Sequence, residues 1–529
     1  MENKNIQSKT NWFIQPMVVA IFLAGGFMLG VWFQGEGKSP LVEGTQTSSY
    51  HKLGEILNFI QSRYVDTIDI DRLADVAAEA ILNELDPHSY YIPEEKHSAI
   101  TNRMQGNLEG IGVEFFLFLD TFFVVDVIPN SPASMVDLLP GDAILAINDT
   151  IVSGRGREMF EIVELFRGPV DSEVRLRTLR DSGQKELEVV VKRGTVPINS
   201  VGSSYLIKDD LLYLRLNSFT ARSYSEFMQV IEENVAGKEK IDLILDLRHN
   251  PGGYLQEAIK ILSQLFPQAG KTMVKTKSHS KMEKTYRSNG RNFFHIDRVV
   301  VLIDGASASA SEIVAGVIQD LDRGLVIGTK SYGKGSVQEH YHLKDGSAIR
   351  LTVSKYFIPS GRAIYREEDW VAENKGASDE DANFYTTNGR LVPEGKAIQP
   401  DILVDIKPVF RHAGFNHYLQ YINRLAFSYF KAAAGQMQVN SPDDLGQFIH
   451  EDWKTDLLEL LDEEEKKHDL ENLLEENSER VYSFLEARLG RFIFGTNQYY
   501  QILNRTDPVV NTAIEALESD YQVMLSRQR

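Results

Sequence analysis

The sequence predicts a multidomain chain of mixed α/β and β class, and three observations carry that reading. At 529 residues the chain is too long for a single hydrophobic core. Residues from about Gly106 to Arg193 read as short β-type runs broken by turn signals. From about Thr195 onward, apolar strands alternate with segments of helical period, which is the pattern of an α/β core. The expected divisions are an N-terminal membrane segment (1–34), a linker (35–49), a helical region (50–104), the β-rich domain (105–193), the α/β core (194–407) and a C-terminal helical extension (408–529).

Composition removes several function classes. A net charge of -19 argues against nucleic acid as a partner, because phosphate binding needs a basic surface. There are no cysteines, so disulfides, thiolate metal sites and a cysteine nucleophile are excluded, while the compartment is left open.

The N-terminal run from Trp12 to Phe33 carries no charge and is apolar apart from Gln15, with Gly25, Gly26 and Gly30 inside it. At the helical rise this length covers the hydrocarbon core, so residues 12–33 are expected to span a membrane. Lys4 and Lys9 precede the run, which places the N-terminus in the cytoplasm by the positive-inside rule. The expectation is a single-pass anchor in the inner (cytoplasmic) membrane with the rest of the chain on the periplasmic or extracytoplasmic side. A cleaved signal peptide is the alternative, but the run exceeds a usual h-region and no A-x-A site follows it.

After a polar linker, Tyr50 to Leu85 has helical periodicity, with Leu53, Ile56, Leu57 and Ile60 on one face and Leu73, Val76, Ala77, Ala80 and Ile81 on another. Pro87, in Leu85-Asp86-Pro87-His88-Ser89, stops it. His88 stands in a turn, where a single histidine is structural. The next segment opens a strand at Gly110-Ile111-Gly112-Val113-Glu114-Phe115 and forms another over Phe122 to Ile128. Ser131-Pro132-Ala133 and Leu139-Pro140-Gly141-Asp142 follow, then Ile144 to Asn148, a helix over Glu158 to Phe166, and strands over Val174 to Leu179 and Leu187 to Lys192. In this order the segment resembles a PDZ domain. The resemblance implies that an extended peptide adds as a strand and that its terminal carboxylate sits on the glycine loop, with Gly110, Ile111, Gly112, Val113, Glu114 and Phe115 as the peptide-binding set.

In the α/β part, Leu211 to Leu216 reads as a strand, Ser223 to Glu233 as a helix, and Ile241 to Leu247 as an apolar strand of the kind buried on both faces. It runs into Arg248-His249-Asn250-Pro251-Gly252-Gly253 and a helix over Leu255 to Phe266. The paired glycines suit a backbone N–H aimed into a site, or simply a strand-to-helix turn. A further strand, Arg298 to Ile303, leads through Asp304-Gly305 into Ala306-Ser307-Ala308-Ser309-Ala310-Ser311-Glu312 and an apolar helix. A helix N-terminus favours a developing negative charge, so a serine there can be a nucleophile; the same residues also make a serine-rich cap.

Gly328-Thr329-Lys330-Ser331-Tyr332-Gly333-Lys334-Gly335-Ser336-Val337-Gln338 nearly fits a phosphate-binding loop, but Gly335 stands where Ser or Thr is required. A strand pattern rather than a helix follows, so no nucleotide is expected. What remains is a lysine on a glycine-flexed turn. A lysine can take a serine's proton if its reference pKa of about 10.4 falls by several units, which burial can achieve. Ser309 and Lys334 follow neighbouring strands, which places both at the carboxyl edge of the sheet.

Asn-Pro-Gly-Gly, then Ser-Ala-Ser-Ala-Ser-Glu, then Tyr-Gly-Lys-Gly-Ser-Val-Gln, all after a PDZ domain, resemble the carboxyl-terminal processing peptidases, or tail-specific proteases. Leu85 to Ser89, Pro359-Ser360-Gly361-Arg362 and Ile398-Gln399-Pro400-Asp401 match as well, so the resemblance covers roughly Tyr50 to Ile406. It implies a peptidase core of the crotonase-like or ClpP-like kind and a serine endopeptidase that forms an acyl-enzyme near the C-termini of unfolded or peptide substrates. Ser309 is then the nucleophile, Lys334 the general base and Gln338 the residue that orients the lysine. The oxyanion hole is the N–H of Ala310 with that of Gly252 or Gly253. Choosing Ser309 over Ser307 or Ser311 rests on the family's spacing; Ser311 with Glu312 can serve as a helix cap. No cofactor and no metal are expected.

Two departures follow the dyad. A charged insertion lies between Arg362 and Gly395, and from Pro408 the chain is helical and acidic, amphipathic over Leu457 to Leu474. The latter is expected to serve packing or assembly, a homo-oligomer included. Competing readings are a Ser-His-Asp hydrolase using His340 or His342, a metal pair at those two histidines, and a membrane-anchored PDZ scaffold with an inactive peptidase domain.

Overall fold

The run after Lys240 is apolar apart from Asp242 and Asp246, so it needs cover on both faces, and it receives it. The computed structural model describes residues 47–180, 185–280, 282–364, 383–393, 397–405, 415–433, 441–461, 464–519 and 521–526. The expected membrane span at 12–33 and most of the charged insertion lie outside these residues. Among the described residues no helix is long and apolar enough to cross a membrane. The chain divides into two units, 1–78 and 79–529. The first carries the helix Thr47–Arg63 and the start of the helix Ile70–Asn83.

The core of the second unit is a six-stranded sheet in the order 201–208, 211–216, 241–246, 296–303, 325–328, 402–403. The first pair is antiparallel and the rest run parallel. Alternate residues divide between two cores. Leu212, Leu214, Leu243, Leu245, Val299, Val301 and Val326 pack with Phe227, Ile261, Ile313 and Val317 from the helices Ser223–Val235, Leu255–Leu265 and Ala310–Asp320. Their neighbours Leu211, Tyr213, Ile244, Val300, Leu302 and Ile327 pack on the opposite face against Val509, Val510, Ala513, Leu517 and Tyr521. The helices Pro508–Glu518 and Tyr521–Ser526, far beyond the sheet in sequence, therefore form one whole layer of the core. Each buried aliphatic side chain there contributes about 1.5–3 kcal/mol.

A second sheet, of which the sequence pattern announces only the strand after Lys334, joins Tyr90–Ile92, Ala348–Phe357, Thr272–Ser278 and Glu283–Arg287, with Ser336–His342 paired to Ala348–Phe357. Its strands carry lysines, serines and threonines on half-wet faces, so they lack an apolar run.

The β-rich domain forms another six-stranded sheet around Ile111, Phe122, Val124, Ile144, Ile147, Ile162, Val174 and Val191, with the helix Met159–Phe166 where expected. Its strand Val113–Phe118 lies at the sheet edge. The acidic extension builds its own core from Tyr418, Leu425, Trp453, Leu457, Leu470 and Leu485. The amphipathic run expected over Leu457 to Leu474 is divided between two helices, Trp453–Glu459 and Glu464–Phe494, whose leucines share that core.

Candidate active site

Three neighbouring parallel strands end side by side. Ile241–Asp246 leads to the Asn250-Gly253 turn, Ile296–Ile303 to Ser309, and Leu325–Gly328 to Lys334. The expected meeting at the carboxyl edge of the sheet is therefore present, and the glycine turn shares it.

The three serines are not equivalent. The Ser307 hydroxyl is buried, donates to the Leu247 carbonyl at 2.9 Å and accepts the Asp304 N–H at 2.9 Å. The Ser311 hydroxyl is buried and donates to the Asn250 carbonyl at 2.9 Å. Both are structural ties between this turn and the strand 241–246 loop. Ser309 alone is only half-buried, and it sits at φ 55° and ψ -114° immediately before the helix Ala310–Asp320. A non-glycine residue held there costs about 1–3 kcal/mol, and such strain persists only where the surroundings enforce it.

Glu312 does much of that enforcing. Its buried carboxylate accepts the Ser309 N–H at 2.8 Å, the Lys334 N–H at 2.8 Å, the Gly333 N–H at 2.7 Å and the Ser331 hydroxyl at 2.6 Å. Burial pushes its carboxyl up to about 7, against the opposing pull of these four donors. From the other side the buried Tyr356 hydroxyl donates to the Lys334 carbonyl and approaches the Ser309 carbonyl at 3.3 Å. The sequence shows Glu312 only as a helix-capping carboxylate, because the turn it reaches lies 21 to 22 residues away.

Gly252 lies directly against the serine turn. At φ 92°, a Cβ built on it would stand 2.8 Å from the Ala310 nitrogen and 2.8 Å from Ser309 Cβ. Its N–H donates to Asn250 Oδ1 at 2.8 Å. Gly253 is exposed; its backbone neighbours bond to Phe219, and no acceptor for its own N–H occurs among the described residues. Of the two glycines named for the oxyanion hole, Gly253 thus has the uncommitted donor, with Ala310 as its counterpart.

Gln338 lies on the strand Ser336–His342. Its amide donates to Ser336 at 2.8 Å and Thr352 at 3.3 Å, and its oxygen accepts from Arg350 at 3.4 Å. Thr352 in turn donates to Asp86 at 3.1 Å, and its N–H donates to the Ser89 hydroxyl at 3.0 Å. The Asp86-Pro87-His88-Ser89 element therefore braces the strand Ala348–Phe357, which pairs with the strand that follows the lysine. His340 and His342, the rival bases, pair with no carboxylate among the described residues. No group of three or more potential metal ligands gathers among those residues either.

In the expected peptide loop, Gly112 at φ 81° leaves no room for a side chain, since its Cβ would meet Ser131 Cβ at 2.2 Å. Its carbonyl accepts the Ile128 N–H at 2.9 Å, and Ile111 is buried. Val113 and Phe115 face the domain core, whereas Glu114 turns its carboxylate onto Arg491 of the C-terminal extension.

The profile of peptidase family S41 matches residues 210–370, and that of a PDZ domain matches residues 123–180. A carboxy-terminal-processing protease of Bartonella bacilliformis is 34% identical over 319 residues, covering 59% of this chain and 72% of its own. A Staphylococcus aureus protein described as a probable CtpA-like serine protease is 30% identical, covering 69% and 72%. Among solved structures, a photosystem II D1 C-terminal processing protease aligns with 68% of this chain and 88% of its own, at 23% identity and a TM-score of 0.37.

Proposed function

The chain belongs to the serine-type carboxy-terminal-processing proteases of peptidase family S41, and from that premise we propose that it cleaves extracytoplasmic protein substrates near their C-termini by a Ser309-Lys334 dyad. Neutral Lys334 takes the Ser309 proton as Oγ attacks the scissile carbonyl. The oxyanion forms at the helix N-terminus between the Ala310 and Gly253 N–H groups, where fixed donors need no reorganisation. The lysine returns its proton to the leaving amine, an acyl-enzyme remains on Ser309, and water attacks it by the same route in reverse. Gln338 orients the lysine from the adjoining strand. The observation that carries the reading is the division of labour among the serines: two hydroxyls are locked into structure, and the third is half-buried, strained and tied through Glu312 to the lysine turn.

Substrate tails are proposed to dock on the PDZ loop at Gly110 to Phe115, with their terminal carboxylate on its backbone N–H groups. Anchoring by residues 12–33 would hold the catalytic part outside the cytoplasm. A fluorophosphonate probe tests the chemistry: it should label the wild-type chain and fail on Ser309→Ala, and labelling that survives this substitution sinks the proposal. Calorimetry with an acid and an amide form of the same peptide tests the docking, since equal binding of both would remove the carboxylate contact. Protease added to spheroplasts should digest the domain if it faces outward, and protection would reverse the topology.

A further inference from the structure

The glycine turn is fixed by a buried charge network that reaches outside the segment matched by the peptidase profile. Arg248 donates from Nε and Nη2 to Asp246 at 2.9 and 2.7 Å, and from Nη1 to Asp507 Oδ2 at 2.8 Å. Arg215 donates to Asp246 at 3.0 Å and to the Arg248 carbonyl at 3.0 Å, and the Tyr213 hydroxyl donates to Asp246 at 2.6 Å. Two guanidiniums thus converge on one buried aspartate. A second carboxylate is needed against Arg248, because an uncompensated buried charge is costly. The C-terminal extension supplies it. Asp507 Oδ1 caps the helix Pro508–Glu518 through the Val509 and Val510 N–H groups at 2.8 and 3.2 Å, which leaves Oδ2 for Arg248. Without the Asp507 charge, Asp246 alone would face the two guanidiniums of Arg248 and Arg215.

Two residues beyond Arg248, Asn250 passes the constraint to the reaction centre. Its carbonyl accepts the Ala308 N–H at 3.0 Å and the Ser311 hydroxyl, and its side chain accepts the Gly252 N–H and donates to the Leu216 carbonyl at 2.8 Å. Whatever seats Arg248 therefore also sets the height of Gly252 and Gly253 against Ser309.

We propose that Asp507 is a positioning residue for the oxyanion loop, holding Arg248 from the C-terminal helices so that the Gly253 N–H stands correctly against Ser309. The inference rests on the Ser309 and Gly253 assignments above. It makes the extension a working part of the catalytic unit as well as a layer of its core.

The test uses the full chain and compares Asp507→Asn and Asp507→Ser on an unstructured peptide, reading kcat and KM separately beside thermal melting. Both replacements keep a helix-capping side chain and remove the charge. The expected result is a kcat lower by about 10- to 100-fold in both, because small misplacements of catalytic groups act on the chemical step. KM should stay within about threefold. A kcat within about twofold of wild type in either folded variant overturns the proposal, as does a change confined to KM. Failure of both variants to fold also overturns it, since the role would then be structural alone. Ser309→Ala run in parallel separates the two levels: residual cleavage there overturns the catalytic assignment, whatever the Asp507 variants show.

Discussion

The Glu312 carboxylate accepts the Lys334 N–H at 2.8 Å with the same oxygen that accepts the Ser309 N–H at 2.8 Å. One buried anion thus sets the separation of two turns that follow neighbouring strands, and the Tyr356 hydroxyl bridges their carbonyls. Alignment of the proposed nucleophile and base is consequently set through the backbone of both turns.

Glu312→Gln should therefore damage catalysis without touching either reacting group. An amide offers one oxygen where four donors converge, and its NH2 would face backbone N–H groups. We expect kcat to fall by about 100-fold or more and stability to drop by about 1–3 kcal/mol, the cost of leaving buried donors without an acceptor. Kinetics on a peptide substrate and urea melts measure both. An unchanged kcat would show that the two turns hold their spacing without the carboxylate.

The same residue gives a pH signature. Burial raises the Glu312 carboxyl from 4.5 to about 7, so between those values the folded chain keeps a proton that the unfolded chain has lost. The stability from this protonation is present at the acid end and is lost as pH rises through the window. Activity runs the other way, because only the anion accepts all four donors, so kcat should rise through about pH 7. Melting midpoints and kcat across this range should show both trends in wild type and lose them in Glu312→Gln. Identical profiles in the two proteins would assign the ionisation elsewhere.

Single alanine replacements should separate the three serines. Ser309→Ala is expected to reduce cleavage to background with little change in melting. Ser307→Ala and Ser311→Ala each remove a hydroxyl that satisfies a buried backbone group, costing about 1–3 kcal/mol, while cleavage persists at reduced rate. Chemical denaturation paired with a tail-cleavage assay distinguishes these outcomes. Full activity in Ser309→Ala would move the nucleophile to another residue.

Most of the site was legible because its parts are local. Gly252 and Gly253 follow a buried strand, Ser309 starts a helix, and Lys334 sits between glycines, each visible within a few residues of sequence. The partners that hold them were not legible. Glu312 to Lys334, Tyr356 to Lys334, and Asp507 to Arg248 join residues 22 to 259 positions apart, and pattern alone does not say where a capping carboxylate or a lone tyrosine will reach. The run 241–247, apolar apart from Asp242 and Asp246, did announce cover on both faces. It gave no sign that the second layer would come from residues 508–526 at the far end of the chain.

The aromatic seam between the PDZ domain and the C-terminal extension yields the last prediction. Phe427 is fully buried, with its ring centroid 5.4 Å from Phe118, 4.8 Å from Phe123 and 5.3 Å from Phe492. The strand Val113–Phe118 alternates, so Phe115 and Leu117 serve the PDZ core while Phe116 and Phe118 are left for this seam. Beside it, Glu114 pairs with Arg491. Phe427→Ala leaves a cavity at the centre of the cluster and should cost about 3–5 kcal/mol. That loss falls on the contact between the domains, because the PDZ core residues Phe122, Val124 and Ile144 lie on the other face of the sheet. Hydrogen exchange should therefore rise along Val113–Phe118 and in the helix Phe415–Ala433 while the strands 241–246 and 296–303 stay protected. Uniform acceleration across all of these elements would instead mean that Phe427 supports a single cooperative unit.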